Sequence, residues 1–83
     1  MTDNLKELLN DQHTFPGSYV FKFIVPTDQK AELFAVLPAG EIDERPSRAG
    51  KYISVTVTAQ MASADAVLAV YDAAQKISGI ISL

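Results

Sequence analysis

Between Lys51 and Gln60 every second residue is apolar: Ile53, Val55, Val57 and Ala59 alternate with Tyr52, Ser54, Thr56, Thr58 and Gln60. A period of two places consecutive side chains on opposite faces of a strand. Here hydrocarbon collects on one face and hydroxyl groups on the other. Such a strand belongs to a sheet that is covered on one side only. The chain has 83 residues, room for one domain and one core. The cover must therefore be helices from the same chain.

The flanking segments supply them. Residues 2–10 read as a short helix, with Thr2 as N-cap and Leu5, Leu8 and Leu9 on one stripe. Asp11 to Gly17 is a loop broken by Pro16-Gly17. Ser18 to Val25 is a strand with Tyr19, Phe21, Phe23 and Val25 on the core face and Val20, Lys22 and Ile24 on the wetter one. Pro26 ends it. Thr27 or Asp28 caps a helix to about Leu37, where Pro38-Ala39-Gly40 stops it. Its stripe is Leu33, Val36 and Leu37, bordered by Phe34.

Glu41 to Pro46 is polar apart from Ile42 and reads as a short edge strand, where Pro46 is tolerated. Ser47 to Gly50 is a turn. Ser63 is an N-cap for a last helix, with Ala66, Val67, Val70, Tyr71, Ala74 and Ile77 at helical spacing. Lys76 falls in its last turn and Gly79 at its C′ position. Ile80 to Leu83 is a final short strand, two of whose residues face the core.

The order after the first helix is β-α-β-β-α-β. With right-handed crossovers, this gives an α+β, ferredoxin-like split βαβ sandwich. It is a four-stranded antiparallel sheet with two helices on one face, plus the short N-terminal helix. The first and third strands are central and the charged one is an edge. No repeat or linker divides residues 1–83, which read as a single domain.

Composition narrows the function. Net charge is −3, which argues against nucleic acid as a partner, because phosphate binding needs clustered Lys and Arg. No apolar run is long enough to span a membrane. The first residues lack the basic and apolar regions of a signal peptide. With no cysteine, there is neither disulfide nor thiolate chemistry, and a reducing compartment fits. The expected location is the cytoplasm.

No catalytic constellation, metal site or cofactor motif is found. The single histidine, His13, lies beside Asp11 in a polar loop without converging ligands. Glu41, Asp43 and Glu44 lack the spacing and glycine turn of a calcium loop, and a solvated edge explains them. Within a strand, Glu41 and Asp43 share a face and Glu44 points away. No Gly-rich phosphate loop or nucleophile elbow is present. Base-stacking aromatics are missing where an RNA-binding sheet would carry them, and the Cys-x-x-Cys of a metallochaperone is absent.

Two surfaces remain. Around the hairpin, Arg45, Arg48 and Lys51 flank a turn containing Gly50, where backbone N–H groups and cations suit a small anion. Ordinary surface charge around a turn is the plainer explanation, and the anion site is the best-defined candidate beside it. On the face away from the helices, Tyr52, Ser54, Thr56 and Thr58 should lie near Val20, Lys22 and Ile24. That face is either a contact platform or an ordinary wet sheet surface.

Three stretches carry a family resemblance: Leu5-Lys6-Glu7-Leu8-Leu9 followed by Phe15-Pro16, then Pro46 to Val55, then Val70 to Ile77. The second is similar to the Ser-x-x-Gly-x-Tyr-x-Ser segment of the YbeD-like proteins, and the others to that family's N-terminus and last helix. These are small bacterial proteins of unassigned function. The resemblance covers nearly the whole chain. It implies a ferredoxin-like fold close to that of ACT domains, regulatory modules that bind amino acids and pair through their sheets or helices. It implies no known reaction. ACT domains usually carry a glycine where the first strand turns into the first helix; here that turn reads Val25-Pro26-Thr27-Asp28-Gln29.

Two expectations follow. One is a non-enzymatic interaction or regulatory module that uses the open sheet face or an edge to bind itself or another protein. The other is an ACT-like sensor holding a small anionic metabolite near Ser47 to Lys51.

Overall fold

The computed structural model describes Leu9 and residues 14–83. The expected helix over residues 2–10 and His13 lie outside them, apart from Leu9, which is helical and buried against the core.

Strand β1 runs Gly17–Pro26. A single 3₁₀ turn, Thr27–Gln29, leads into helix α1, Lys30–Val36. Strands β2, Glu41–Pro46, and β3, Tyr52–Met61, form a hairpin. Helix α2 is Ala64–Ala74 and strand β4 is Ile81–Ser82. The sheet order is β2-β3-β1-β4 with every pair antiparallel. This is the ferredoxin-like arrangement, with β1 and β3 central. No helix among the described residues is long and apolar enough to cross a membrane.

Register puts the two apolar faces together. Phe21 is opposite Val57, Phe23 opposite Val55 and Val25 opposite Ile53. Phe21, Phe23, Val25, Val55 and Val57 are wholly buried, with Leu33 of α1 and Val67 of α2 packed over them. No polar or charged residue is buried among the described residues. The core is held by hydrocarbon alone.

Three boundaries depart from the sequence reading. Neither Thr27 nor Asp28 caps α1. The Thr27 hydroxyl instead donates to the Gly50 carbonyl at 2.7 Å, and its N–H donates to the Lys51 carbonyl at 3.0 Å. The chain is thus tied to the hairpin tip before it can wind, and the first turn tightens to 3₁₀. At the other end Leu37 is extended rather than helical, because it precedes Pro38, whose ring disfavours the α region in the residue before it.

Helix α2 starts where expected, with the Ser63 hydroxyl accepting from the Ala66 N–H at 3.1 Å. It stops at Ala74, earlier than expected. Lys76 and Ile77 donate to the carbonyls of Ala73 and Ala74 in tighter i→i+3 bonds. Lys76 is therefore beyond the helix. Gly79 does have a positive φ of 76°, but it serves the turn into β4 and not the helix end. A Cβ there would come within 2.8 Å of the Pro26 ring. The last strand is shorter than the expected Ile80 to Leu83: Ile80, just before it, packs on the core, while Ile81, Ser82 and Leu83 are all exposed, so one of the four and not two faces inward.

An aromatic cluster fills the core between β1 and α2. The Tyr71 ring lies 5.4 Å from Phe21 and 5.8 Å from Phe23, and its hydroxyl is 3.2 Å from that of Tyr19. Burial, then the Tyr19 hydrogen bond and charge, push the Tyr71 phenol well above its ordinary range. The unfolded phenol ionises near pH ~10, while the folded one keeps its proton. The native state therefore binds more protons above that pH, and stability falls as pH rises through the alkaline range. Below it the contribution is constant. Urea midpoints should drop between about pH 9.5 and 11 in the wild type, and the drop should shrink in Tyr71→Phe. An equal drop in both proteins would rule this coupling out.

Candidate functional site

Among the described residues the sheet is covered by α1 and α2 on one side only, and no described element lies over its other face. Pleating decides what it shows. The even-numbered residues of β1 and β3 and the odd-numbered residues of β2 and β4 point this way. They form cross-strand rows. Ile81, Ile24, Ser54 and Arg45 make one row; Lys22, Thr56 and Asp43 make the next; Val20, Thr58 and Glu41 make the third. Leu83 donates its N–H to the Lys22 carbonyl at 2.9 Å, which extends the second row.

The face is divided lengthwise. Its β4–β1 side is apolar: Val20 is 54% exposed, Ile81 50% and Leu83 65%, with Ile24 half-buried between them. Down its middle, Ser54, Thr56 and Thr58 form a half-buried column of short side chains, with Tyr52 at its end, 47% exposed. Its β2 side is charged, with Glu41, Asp43 and Arg45 fully in solvent. Lys22 stands alone on the apolar side and makes no ion pair among the described residues. The sequence-predicted sheet-face residues Val20, Lys22, Ile24, Tyr52, Ser54, Thr56 and Thr58 are thus brought onto one surface. Ile81 and Leu83 were missed. A strand of two residues carries too little alternation to show which side it offers; only its register with β1 settles it.

The hairpin is arranged differently from the anion cradle expected of it. The Gly50 N–H donates to the Ser47 carbonyl at 2.9 Å, and the Ser47 N–H to the Tyr52 carbonyl at 2.8 Å. The Tyr52 N–H donates to the Ser47 hydroxyl at 3.2 Å. Three of the hairpin's backbone donors, those of Ser47, Gly50 and Tyr52, are thus used within the turn, leaving those of Arg48, Ala49 and Lys51 for an anion. Gly50 has φ 75°, a left-handed backbone that the turn requires, and open space around its Cα. Arg48 and Lys51 are exposed at the tip, whereas Arg45 sits back on β2 opposite Ser54, 3.7 Å from Asp43. That ion pair is nearly all in solvent and is worth ~0–1 kcal/mol.

The acidic trio splits as alternation predicts. Glu41 and Asp43 lie on the open face, and Glu44 turns to the helix side, where it pairs with Lys30 of α1. No group of three potential metal ligands exists among the described residues.

Residues 10–83 match a family described as "Protein of unknown function (DUF493)". The chain belongs to the DUF493 family. This is the same family as the YbeD-like proteins that the three sequence stretches resemble. The match includes every described strand and helix from β1 to β4, so the open face and the hairpin are both DUF493 features. Comparison with curated proteins and with solved structures gives no match.

Proposed function

We propose that this DUF493 protein is a non-enzymatic, regulatory interaction module that docks a second copy of itself on the open face of its sheet. One observation carries the reading: among the described residues, exposed Val20, Tyr52, Ile81 and Leu83 gather on the sheet face that no described helix covers, while exposed Ile42 lies on the helix side of the β2 edge. Scattered apolar residues are normal on a surface, but a contiguous set beside a wall of short hydroxyl side chains suits docking. The described strands give a flat footprint on the order of 450 Å² per partner, below the ~800 Å² of a standard interface, so the dimer belongs to the weak, reversible class. Two such faces stack in the aligned manner of β-sandwiches.

The acidic net charge disfavours nucleic acid, and the cysteine-free sequence suits the bacterial cytoplasm. An anionic metabolite at the hairpin ranks below this reading, because the turn's own hydrogen bonds take up the donors of Ser47, Gly50 and Tyr52 and leave only those of Arg48, Ala49 and Lys51.

Light scattering after size exclusion tests it. The wild type should run as a dimer at high micromolar concentration. Ile24→Lys should run as a monomer with an unchanged circular dichroism spectrum. A wild type that stays monomeric at that concentration would sink the proposal.

A further inference from the structure

The open face carries a charge pattern that selects one way for two copies to meet. Lys22, Thr56 and Asp43 form a single row across β1, β3 and β2. Neighbouring strands are ~4.8 Å apart, so the cation and the anion stand at equal distances on either side of Thr56. The residue between them is short, as are Ser54 and Thr58 above and below it in the same column. We infer that two copies stack face to face about a two-fold axis running along β3, with Lys22 of each copy paired to Asp43 of the other. This rests on the reading that the open face binds a second copy.

Charge decides between the two possible axes. A two-fold axis along β3 carries β1 of one copy over β2 of the other. Each Lys22 then meets an Asp43, and the contact occurs twice. It also lays Ile24 on the aliphatic stem of Arg45, sets Val20 over Glu41, brings the two Tyr52 rings together at the end of the column, and leaves Ile81 and Leu83 at the rim beyond the partner's β2. An axis lying across the strands through the same row sets Lys22 on Lys22 and Asp43 on Asp43. In return it lays Val20 on Ile24 and pairs Glu41 with Arg45, each contact twice, so the like charges at its centre are what count against it. Stacked sheets lie ~10 Å apart, a gap that a lysine and an aspartate reaching from opposite sides can bridge over a column of hydroxyl residues. Both partners are available. Lys22 has no ion pair among the described residues, and Asp43 gives up only its solvent-exposed contact with Arg45.

Charge reversal tests the arrangement by sedimentation equilibrium. Lys22→Glu and Asp43→Lys, each alone, should weaken the dimer by about tenfold or more, since each creates two like-charge contacts. The combined variant, K22E with D43K, restores opposite charges across the axis and should recover most of the wild-type affinity. Both residues are exposed on strands, so the fold should be retained, as circular dichroism will check. If Ile24→Lys dissociates the dimer but the single charge reversals leave its affinity unchanged, the axis is wrong while the interaction reading stands. Single reversals that weaken the dimer without recovery in the combined variant would also overturn the pairing. A monomeric wild type removes both.

Discussion

Phe23→Ala is expected to leave this protein barely folded. Phe23 is fully buried in central strand β1, stacked 6.3 Å from Phe21 and edge-on to Tyr71. Removing a buried phenylalanine costs about 3–5 kcal/mol in lost transfer energy and residual cavity. A domain of 83 residues holds only about 4–12 kcal/mol in total. There is no cysteine for a disulfide, and no buried ion pair among the described residues, to absorb the loss. Val20→Ala is the matched control on the same strand. Val20 is 54% exposed on the other face, and its truncation should cost under ~0.5 kcal/mol. Both are read from urea denaturation at sub-micromolar protein, where an open-face dimer is dissociated. Equal costs at the two sites would mean that the sheet is not packed on one side, and the architecture would fail with it.

That contrast was legible before any coordinates. The alternation in Lys51–Gln60 and in Ser18–Val25 fixes which side chains point inward, and pairing simply aligns the two inward sets. Ser63 was equally plain, because a serine before an apolar helical stripe has one obvious use. The helix ends were not. Whether Thr27 caps a helix depends on what else its hydroxyl can reach, and the Gly50 carbonyl is far away in sequence. Propensity describes a residue among its neighbours along the chain; this contact was made by the fold.

The candidate surfaces divide along the same line. A sheet face is a property of alternation, so its β1 and β3 members could be named from sequence. The hairpin looked able to hold an anion because a Gly-containing turn among cations has the right composition. Composition does not record that Ser47 would close the turn on itself through its carbonyl, its N–H and its hydroxyl. Nor does it show the row that joins Lys22 to Asp43. Those residues lie on different strands, and only register places them beside Thr56.

Gly40 and Gly50 should respond to substitution in opposite ways, for reasons the sequence alone hides. Both sit at breaks between elements, and Gly40 reads simply as a helix stop after Pro38. A Cβ on Gly40 would lie 2.3 Å from the Thr58 carbonyl oxygen and 3.0 Å from the Ala59 Cα. Those atoms belong to central strand β3, which cannot retreat without disturbing its ladder with β1. Gly40→Ala should therefore cost about 1–3 kcal/mol, the range for forcing bulk into a packed site. Gly50 has nothing within 4 Å, but its φ is 75°. Gly50→Ala should cost about 1–2 kcal/mol through backbone strain alone. Asparagine separates the two causes, since it tolerates a left-handed backbone but still carries a Cβ. Gly50→Asn should regain much of the loss seen with alanine, whereas Gly40→Asn should be at least as damaging as Gly40→Ala. Thermal and urea unfolding of the four variants decides it. If asparagine rescues position 40 as well, the close approach of the loop to β3 is not what requires glycine there.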